Sequence, residues 1–297
     1  MVRDNSLYSK ILDAVVHIIM VFVLIATLYP ILNVVASSLS STSANNSAAV
    51  TLFPIGFTLQ SYKMIFNAGT VPRALMNSLF YTTVAVVVQL LLTGSLAYAL
   101  SRKRLYLRNL YTWIIITTMF VSGGMIPSFI LVTKLHLYNS FWALILPGAI
   151  GTSNLIIMRT FFQNIPKELE ESALIDGAND FQIFWKIVLP LSKAVIFTIG
   201  LYYAVSMWNS WFSALMYLKD NDKYPIPLIL RQIVINSQSM QDIVLSSDSG
   251  SINESGVANI NGVKFATLTI STIPMVIIYP FVQKYFTKGI MIGSLKG

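Results

Sequence analysis

Apolar residues run for about 20 positions at a stretch six times along this chain: Ile11 to Ala36, Leu79 to Leu100, Leu110 to Val132, Phe141 to Phe162, Leu191 to Trp211 and Phe265 to Phe286. Runs of that length without two-residue alternation read as helices that are apolar on every face, which suits hydrocarbon rather than water. The pattern predicts an all-α integral membrane fold with six transmembrane helices. Gly123-Gly124 and Pro127 interrupt the third run, and Pro274 and Pro280 the sixth. Such residues survive in membrane helices where neighbouring groups or cavity water satisfy the freed backbone.

The polar stretches between the runs differ in kind. Ser37 to Ser47 is Ser/Thr/Asn-rich and reads as a solvated loop. Thr51 to Phe66 scatters Phe53, Phe57, Tyr62 and Phe66 among polar residues, the pattern of a short helix lying at a membrane surface. Tyr224-Pro225-Ile226-Pro227 is held extended by its prolines. Leu228 to Val244 then predicts an amphipathic helix and Ser246 to Asn261 a polar loop.

Charge adds direction. Only 11% of the 297 residues are charged, against 55% hydrophobic, where soluble domains carry about 25% charged. The net charge of +8 does not form a nucleic-acid-binding face. Its Lys and Arg cluster between the apolar runs: Arg102, Lys103, Arg104 and Arg108 in one short connection, Lys284, Lys288 and Lys296 in the tail, Arg3 and Lys10 before the first run. Basic short loops face the cytoplasm, so both termini are expected there. The first apolar run is much longer than the h-region of a signal peptide and reads as a retained helix. The chain has no cysteine, so disulfide and thiolate chemistry are excluded.

Pro166 to Pro190 is the polar segment with the most structure in it. Pro166 suits a first helical turn, and Glu168, Glu170 and Glu171 follow where a helix dipole favours acids. Leu169, Ala173, Leu174, Gly177 and Ala178 recur at helical spacing, with Ala173 and Gly177 forming a small patch. Gly177 fits a left-handed C-terminal turn. Asn179 with Gln182 three positions on predicts a capping box opening a second helix, whose apolar side is Phe181, Phe184, Trp185 and Val188. Pro190 is expected to end it.

Within this segment Glu171-Ser172-Ala173, Gly177 and Ile187-Val188-Leu189-Pro190 resemble the EAA loop of bacterial ABC importer permeases, with Ser172 where that family more often has Ala. Asp176 before Gly177 matches the D-G-A form common in sugar permeases. Gln283 to Gly297, and Met125-Ile126-Pro127 with Leu135 to Ser140, resemble the maltose-type oligosaccharide importers, in particular a Gram-positive branch similar to LplC and YtcP.

That resemblance implies a type I importer permease. Glu171, Ser172, Ala173, Asp176, Gly177, Ile187, Leu189 and Pro190 would dock on a separate ATPase through a cytoplasmic coupling helix. It implies as partners a second related permease, two ATP-binding subunits, an extracytoplasmic sugar-binding lipoprotein, the lipid membrane and a carbohydrate, with no nucleic acid. Three regions follow: 1–76 with the first span and the Ser/Asn-rich outer loop, 77–286 as the permease core with coupling loop 164–190 and outer loop 219–264, and 287–297 as a cytoplasmic tail. The chain lacks G-x-x-x-x-G-K-[ST]. It is therefore expected to be no enzyme and to hold no cofactor, ATP and Mg being bound by the partner ATPase.

A sugar path needs hydrogen-bonding groups and aromatic faces inside the spans. The candidates are Gln89, Thr117, Thr118, Asn154, Tyr202, Tyr203, Trp208 and Asn209, with Trp211 beside them. His17 and His136 are too far apart in the chain's plan to form a metal pair and are expected as interfacial polar residues. Arg159 is expected to reach the interface or pair with a nearby Glu. An ion-coupled carrier would place an acid within the bundle, and a membrane enzyme would need paired acids or an activated nucleophile. Neither pattern is present in the spans; Asp13 stands only at the edge of the first.

Overall fold

The structure is a computed structural model that describes residues 7–246 and 261–280; among these, every regular element is helical. The tail motif Gln283 to Gly297, the end of the sixth run and most of the loop Ser246 to Asn261 lie outside the described residues. The chain divides into two compact units, one drawn from Met1–Pro72 and Leu230–Thr272, the other from Arg73–Ile229 and Ile273–Gly297. These boundaries cut across the three expected regions.

Three helices are long and apolar enough to span a bilayer unbroken: Tyr8–Ser38, Thr70–Ser101 and Asn261–Pro280. The first has a mean hydropathy of 2.6, and none of its most apolar stretch is buried within the chain. Phe22 is 71% exposed and Ile18 68%. A helix that shows such residues all round needs lipid or another chain against it. Pro274 does not break the last of the three, although the sequence suggested an interruption there. The other apolar runs are bent pairs. Arg108–Phe120 meets Met125–Lys134 at 117°, Trp142–Gly148 meets Thr152–Gln163 at 56°, and Asp180–Leu191 meets Lys193–Trp208 at 84°. Six spans result if each bent pair counts as one.

The first bend follows the glycines, with Gly124 at φ 81. The second falls at Pro147-Gly148 and Gly151, inside a run that reads as continuous in the sequence. Two side chains satisfy the backbone groups this break frees. Gln89 Nε2 donates to the Gly148 carbonyl at 2.9 Å, and the Gly151 N–H donates to the Tyr203 hydroxyl at 2.9 Å. That hydroxyl also shares a hydrogen bond of 2.7 Å with Thr93 Oγ1.

In the first unit, the Ser/Asn-rich stretch is not a solvated loop. Ser37, Ser38 and Ser40 are buried, and Thr42–Asn46 is a short helix. Ser38 bonds the Val35 carbonyl and Tyr62 Oη, Ser40 the Ala36 carbonyl, and Asn45 Nδ2 the Ser37 carbonyl. Short hydroxyl and amide side chains bond readily to nearby backbone, and here that satisfies a packed turn. The expected surface helix is confined to Gln60–Ala68.

In the second unit, Asn139 staples two connections. It sits in the left-handed region at φ 61, which Asn tolerates. Its Oδ1 accepts from the backbone N–H groups of Lys219 and Asp220, and its Nδ2 donates to Asp220 Oδ2 at 2.8 Å. Its carbonyl accepts from Lys223 Nζ. The Asn139 amide and the Lys223 ammonium together hold the Asp220 carboxyl below its ordinary range.

Replacing Tyr203 by Phe strands the Gly151 N–H and the Thr93 hydroxyl. The expected cost is about 1–3 kcal/mol, seen as a lower thermal midpoint of the detergent-solubilised protein. Tyr202→Phe, which breaks no bond at the break, serves as the control and leaves the midpoint in place.

Candidate functional site

The elbow between residues 164 and 192 folds as its caps dictate. Glu168–Ile175 is a helix with Glu168, Glu170 and Glu171 in its first turn, and Lys167 rather than Pro166 flanks its start. It ends in a Schellman turn: the Ala178 N–H donates to the Ala173 carbonyl at 2.9 Å and the Gly177 N–H to the Leu174 carbonyl at 3.1 Å. Gly177 lies at φ 77 with open space around a notional Cβ. Asn179 and Gln182 make the reciprocal capping box. The second helix then passes through a π turn at Phe184–Val188 and continues through Pro190 to Leu191, so Pro190 does not end it. Its last turn needs no N–H from Pro190, and the turn closes when the Ser192 N–H reaches the Val188 carbonyl.

One face of this elbow is core. Ile183, Phe184 and Val188 are buried against Tyr98, Leu155, Met158 and Phe162, and Ala173, Ala178, Ile187 and Leu189 pack around them. The other face is open: Glu171, Ser172, Asp176, Gly177 and Pro190 are exposed. Ser172 Oγ turns back to the Leu169 carbonyl. Ile175 is 87% exposed and Phe181 70%, so two apolar side chains flank the acids on that open face. Sequence reading missed Ile175 and put Phe181 on the packed side; the helical repeat could have separated Phe181 from Phe184 and Val188, but only tertiary packing shows which of them is covered.

An ion pair ties the elbow to the end of the Thr70–Ser101 helix. Arg102 bonds Glu170 with both side chains largely buried, and its guanidinium lies 4.4 Å above the Tyr98 ring. Arg104 pairs with Asp180 at the surface. Arg159 donates its Nε to the Leu100 carbonyl at 3.1 Å, capping that helix end instead of pairing with a Glu.

A cleft of about 400 Å³ opens beside the second break. Of the path candidates, Gln89, Asn154, Tyr202 and Tyr203 line it, along with Ser206, Ser210 and Ser213, which sequence reading did not single out. Its lining carries no charged residue. Gln89 spends its Nε2 on Gly148, and its buried Oε1 has no partner among the described residues. Thr118 bonds Thr152 and the Ile115 carbonyl. Thr117 and Asn209 are exposed and bond back into their own helices, Trp208 is packed at 6% exposure, and Trp211 begins the next helix. Thr117, Thr118, Trp208, Asn209 and Trp211 do not line the cleft.

The architecture is that of an all-helical membrane protein with a capped helical elbow packed under its bundle. Residues 91–292 match the family described as the binding-protein-dependent transport system inner membrane component, and the chain belongs to that family. It is 43% identical over 290 residues, 97% of this chain and 99% of the other, to the polygalacturonan/rhamnogalacturonan transport system permease protein YtcP of Bacillus subtilis (strain 168). It is also 43% identical over 271 residues, 91% of this chain and 90% of the other, to protein LplC of the same organism. Its fold is similar to the crystal structure of a bacterial ABC transporter involved in the import of the acidic polysaccharide alginate, with a TM-score of 0.84, 31% identity, and coverage of 95% of this chain and 99% of that one.

Removing one member of the Arg102–Glu170 pair leaves a buried charge without its counter-ion, which costs about 3–5 kcal/mol. Glu170→Gln is therefore expected to speed amide hydrogen exchange across Glu168–Ile175, while the charge-swapped pair Arg102→Glu/Glu170→Arg recovers part of the protection. Equal exchange in the wild type and Glu170→Gln would remove the pair from the account of the elbow.

Proposed function

We propose that this chain is the membrane-spanning permease of an ATP-driven, binding-protein-dependent carbohydrate importer, acting on an oligosaccharide or complex glycan. The observation that carries this reading is the elbow: a Schellman turn at Gly177 and a capping box at Asn179 hold an acid-rich face open while the opposite face is locked into the core. Such a device takes up force from a separate subunit. Family membership, the polygalacturonan/rhamnogalacturonan transport system of YtcP and the alginate importer of similar fold support it.

In this reading the chain forms half of a channel with a second permease, two ATP-binding subunits engage the elbow, and an extracytoplasmic binding protein delivers sugar. Both termini and the elbow face the cytoplasm, as the basic connections suggest. The chain is no enzyme and holds no cofactor; ATP and Mg belong to the partner subunits. Glu171, Ser172, Ala173, Asp176 and Gly177 present the docking helix, with Ile187, Leu189 and Pro190 joining it to the bundle. Rigid rotation of the docked elbows changes which side of the cavity is open. The uncharged cleft at Gln89, Asn154, Tyr202 and Tyr203 supplies hydroxyl-binding groups and aromatic faces to the path.

Gly177→Asp places a Cβ in the left-handed region and a carboxylate on the docking face. It is expected to abolish sugar uptake by the reconstituted transporter while the bundle still folds, and normal uptake by this variant would refute the docking role. Asn154→Leu removes a cleft amide that holds no part of the break. Losing one neutral hydrogen bond weakens binding by about fivefold, so KM for the transported glycan is expected to rise by that order with little change at saturation.

A further inference from the structure

A second cleft, of about 410 Å³, lies between the connection after Ser101 and the start of the elbow, and Arg102, Lys103, Arg104, Arg108 and Lys167 line it. Only Glu170 and Glu171 oppose them there. Arg102 is paired with Glu170 and Arg104 with Asp180. Lys103, Arg108 and Lys167 form no ion pair among the described residues.

Arg102 adds a second observation. Glu170 takes its Nη1, whereas its Nε and Nη2 are buried and have no acceptor. Those two nitrogens form the side-on edge of a guanidinium, the fork that fits two oxygens of one carboxylate or phosphate. A built cation that lines a cleft with excess positive charge thus keeps its bidentate edge unused and covered among the described residues. Buried donors left so are costly, by an amount comparable to a lost hydrogen bond, and an oxyanion would satisfy both together.

The surroundings favour a lipid as the source of that oxyanion. The cleft sits where the Thr70–Ser101 span ends, and Phe162 and Ile165 form part of its lining. On the same connection Tyr106 is 80% exposed, an aromatic side chain of the kind that belongs at the boundary of hydrocarbon and headgroups, and Leu110 in the helix that follows is 51% exposed. Basic pockets between spans at the cytoplasmic side accept anionic headgroups. We infer that this cleft binds the phosphate of an anionic phospholipid, Lys103, Arg108 and Lys167 supplying charge and Arg102 turning its covered edge outward onto the bound phosphate. The bound headgroup bridges the connection and the elbow, and so stiffens the joint through which docking force passes; this regulatory part rests on the importer reading.

The test compares the full transporter in nanodiscs of phosphatidylcholine with and without phosphatidylglycerol, as wild type and as Lys103→Gln/Arg108→Gln/Lys167→Gln. Native mass spectrometry reads retained phosphatidylglycerol, and ATP hydrolysis reads coupling. The wild type is expected to retain phosphatidylglycerol about fivefold more strongly for each cation the triple variant lacks. Its hydrolysis is expected to rise with that lipid, while the variant matches it in phosphatidylcholine and does not respond. Equal retention by both proteins overturns the site. Activation by inorganic phosphate in phosphatidylcholine discs assigns the cleft to the free ion and overturns the lipid. Loss of the ATPase subunits from the variant makes the cleft a protein seam and does the same. A complex that hydrolyses no ATP in any lipid, yet still shows the difference in retention, defeats the importer reading and leaves the lipid site standing.

Discussion

A helix that crosses hydrocarbon has no bulk water to satisfy its backbone, so every departure from a straight helix must be met by a neighbouring group or by cavity water. That constraint organises the second unit. The bend between Trp142–Gly148 and Thr152–Gln163 exists because Gln89 reaches the Gly148 carbonyl and Tyr203 the Gly151 N–H. Thr93, itself fully buried, fixes the Tyr203 hydroxyl. The polar groups that license the bend are therefore also the polar groups of the neighbouring cleft. A polar cleft and a bent span come from the same few residues.

The elbow follows the opposite logic, since its segment is polar enough to satisfy itself. Its two helices are set by local chemistry: a positive-φ glycine, a reciprocal Asn–Gln cap and acids in the first turn. Local devices of this kind fix the angle between two short helices without help from the bundle. Packing then decides which face stays open, because Ile183, Phe184 and Val188 seek the core.

This difference explains what could be read from the sequence. The elbow's turn and cap were legible residue by residue, because they are encoded within a few positions of one another. So were the apolar runs and the bend at Gly123-Gly124. The second break was not, although Pro147, Gly148 and Gly151 mark it, because its stability comes from Gln89 and Tyr203 on other helices. Ser37 to Ser47 misled for the same reason: composition alone reads as a loop, and its burial depends on partners such as Tyr62. Of the residues that chemistry singled out for a path, only the fold separates Gln89, Asn154, Tyr202 and Tyr203, which line one cleft, from Trp208, which is packed, and from Thr117 and Asn209, which bond into their own helices.

The Thr70–Ser101 helix joins these two logics. Its end carries Arg102, bound to the elbow through Glu170 and resting on Tyr98. Thirteen positions earlier the same helix carries Gln89, and between them lies Thr93. At 1.5 Å per residue that is about 20 Å of continuous helix, stiff over its length because its hydrogen bonds are internal. The elbow's ion pair and the Gln89 clamp of the break are thus joined by unbroken helix rather than by a loop. Coupling over such a distance requires an element with two discrete arrangements. The break is the interruption nearest this helix, held by two hydrogen-bonded side chains, one of which, Gln89, keeps a buried oxygen without a partner among the described residues.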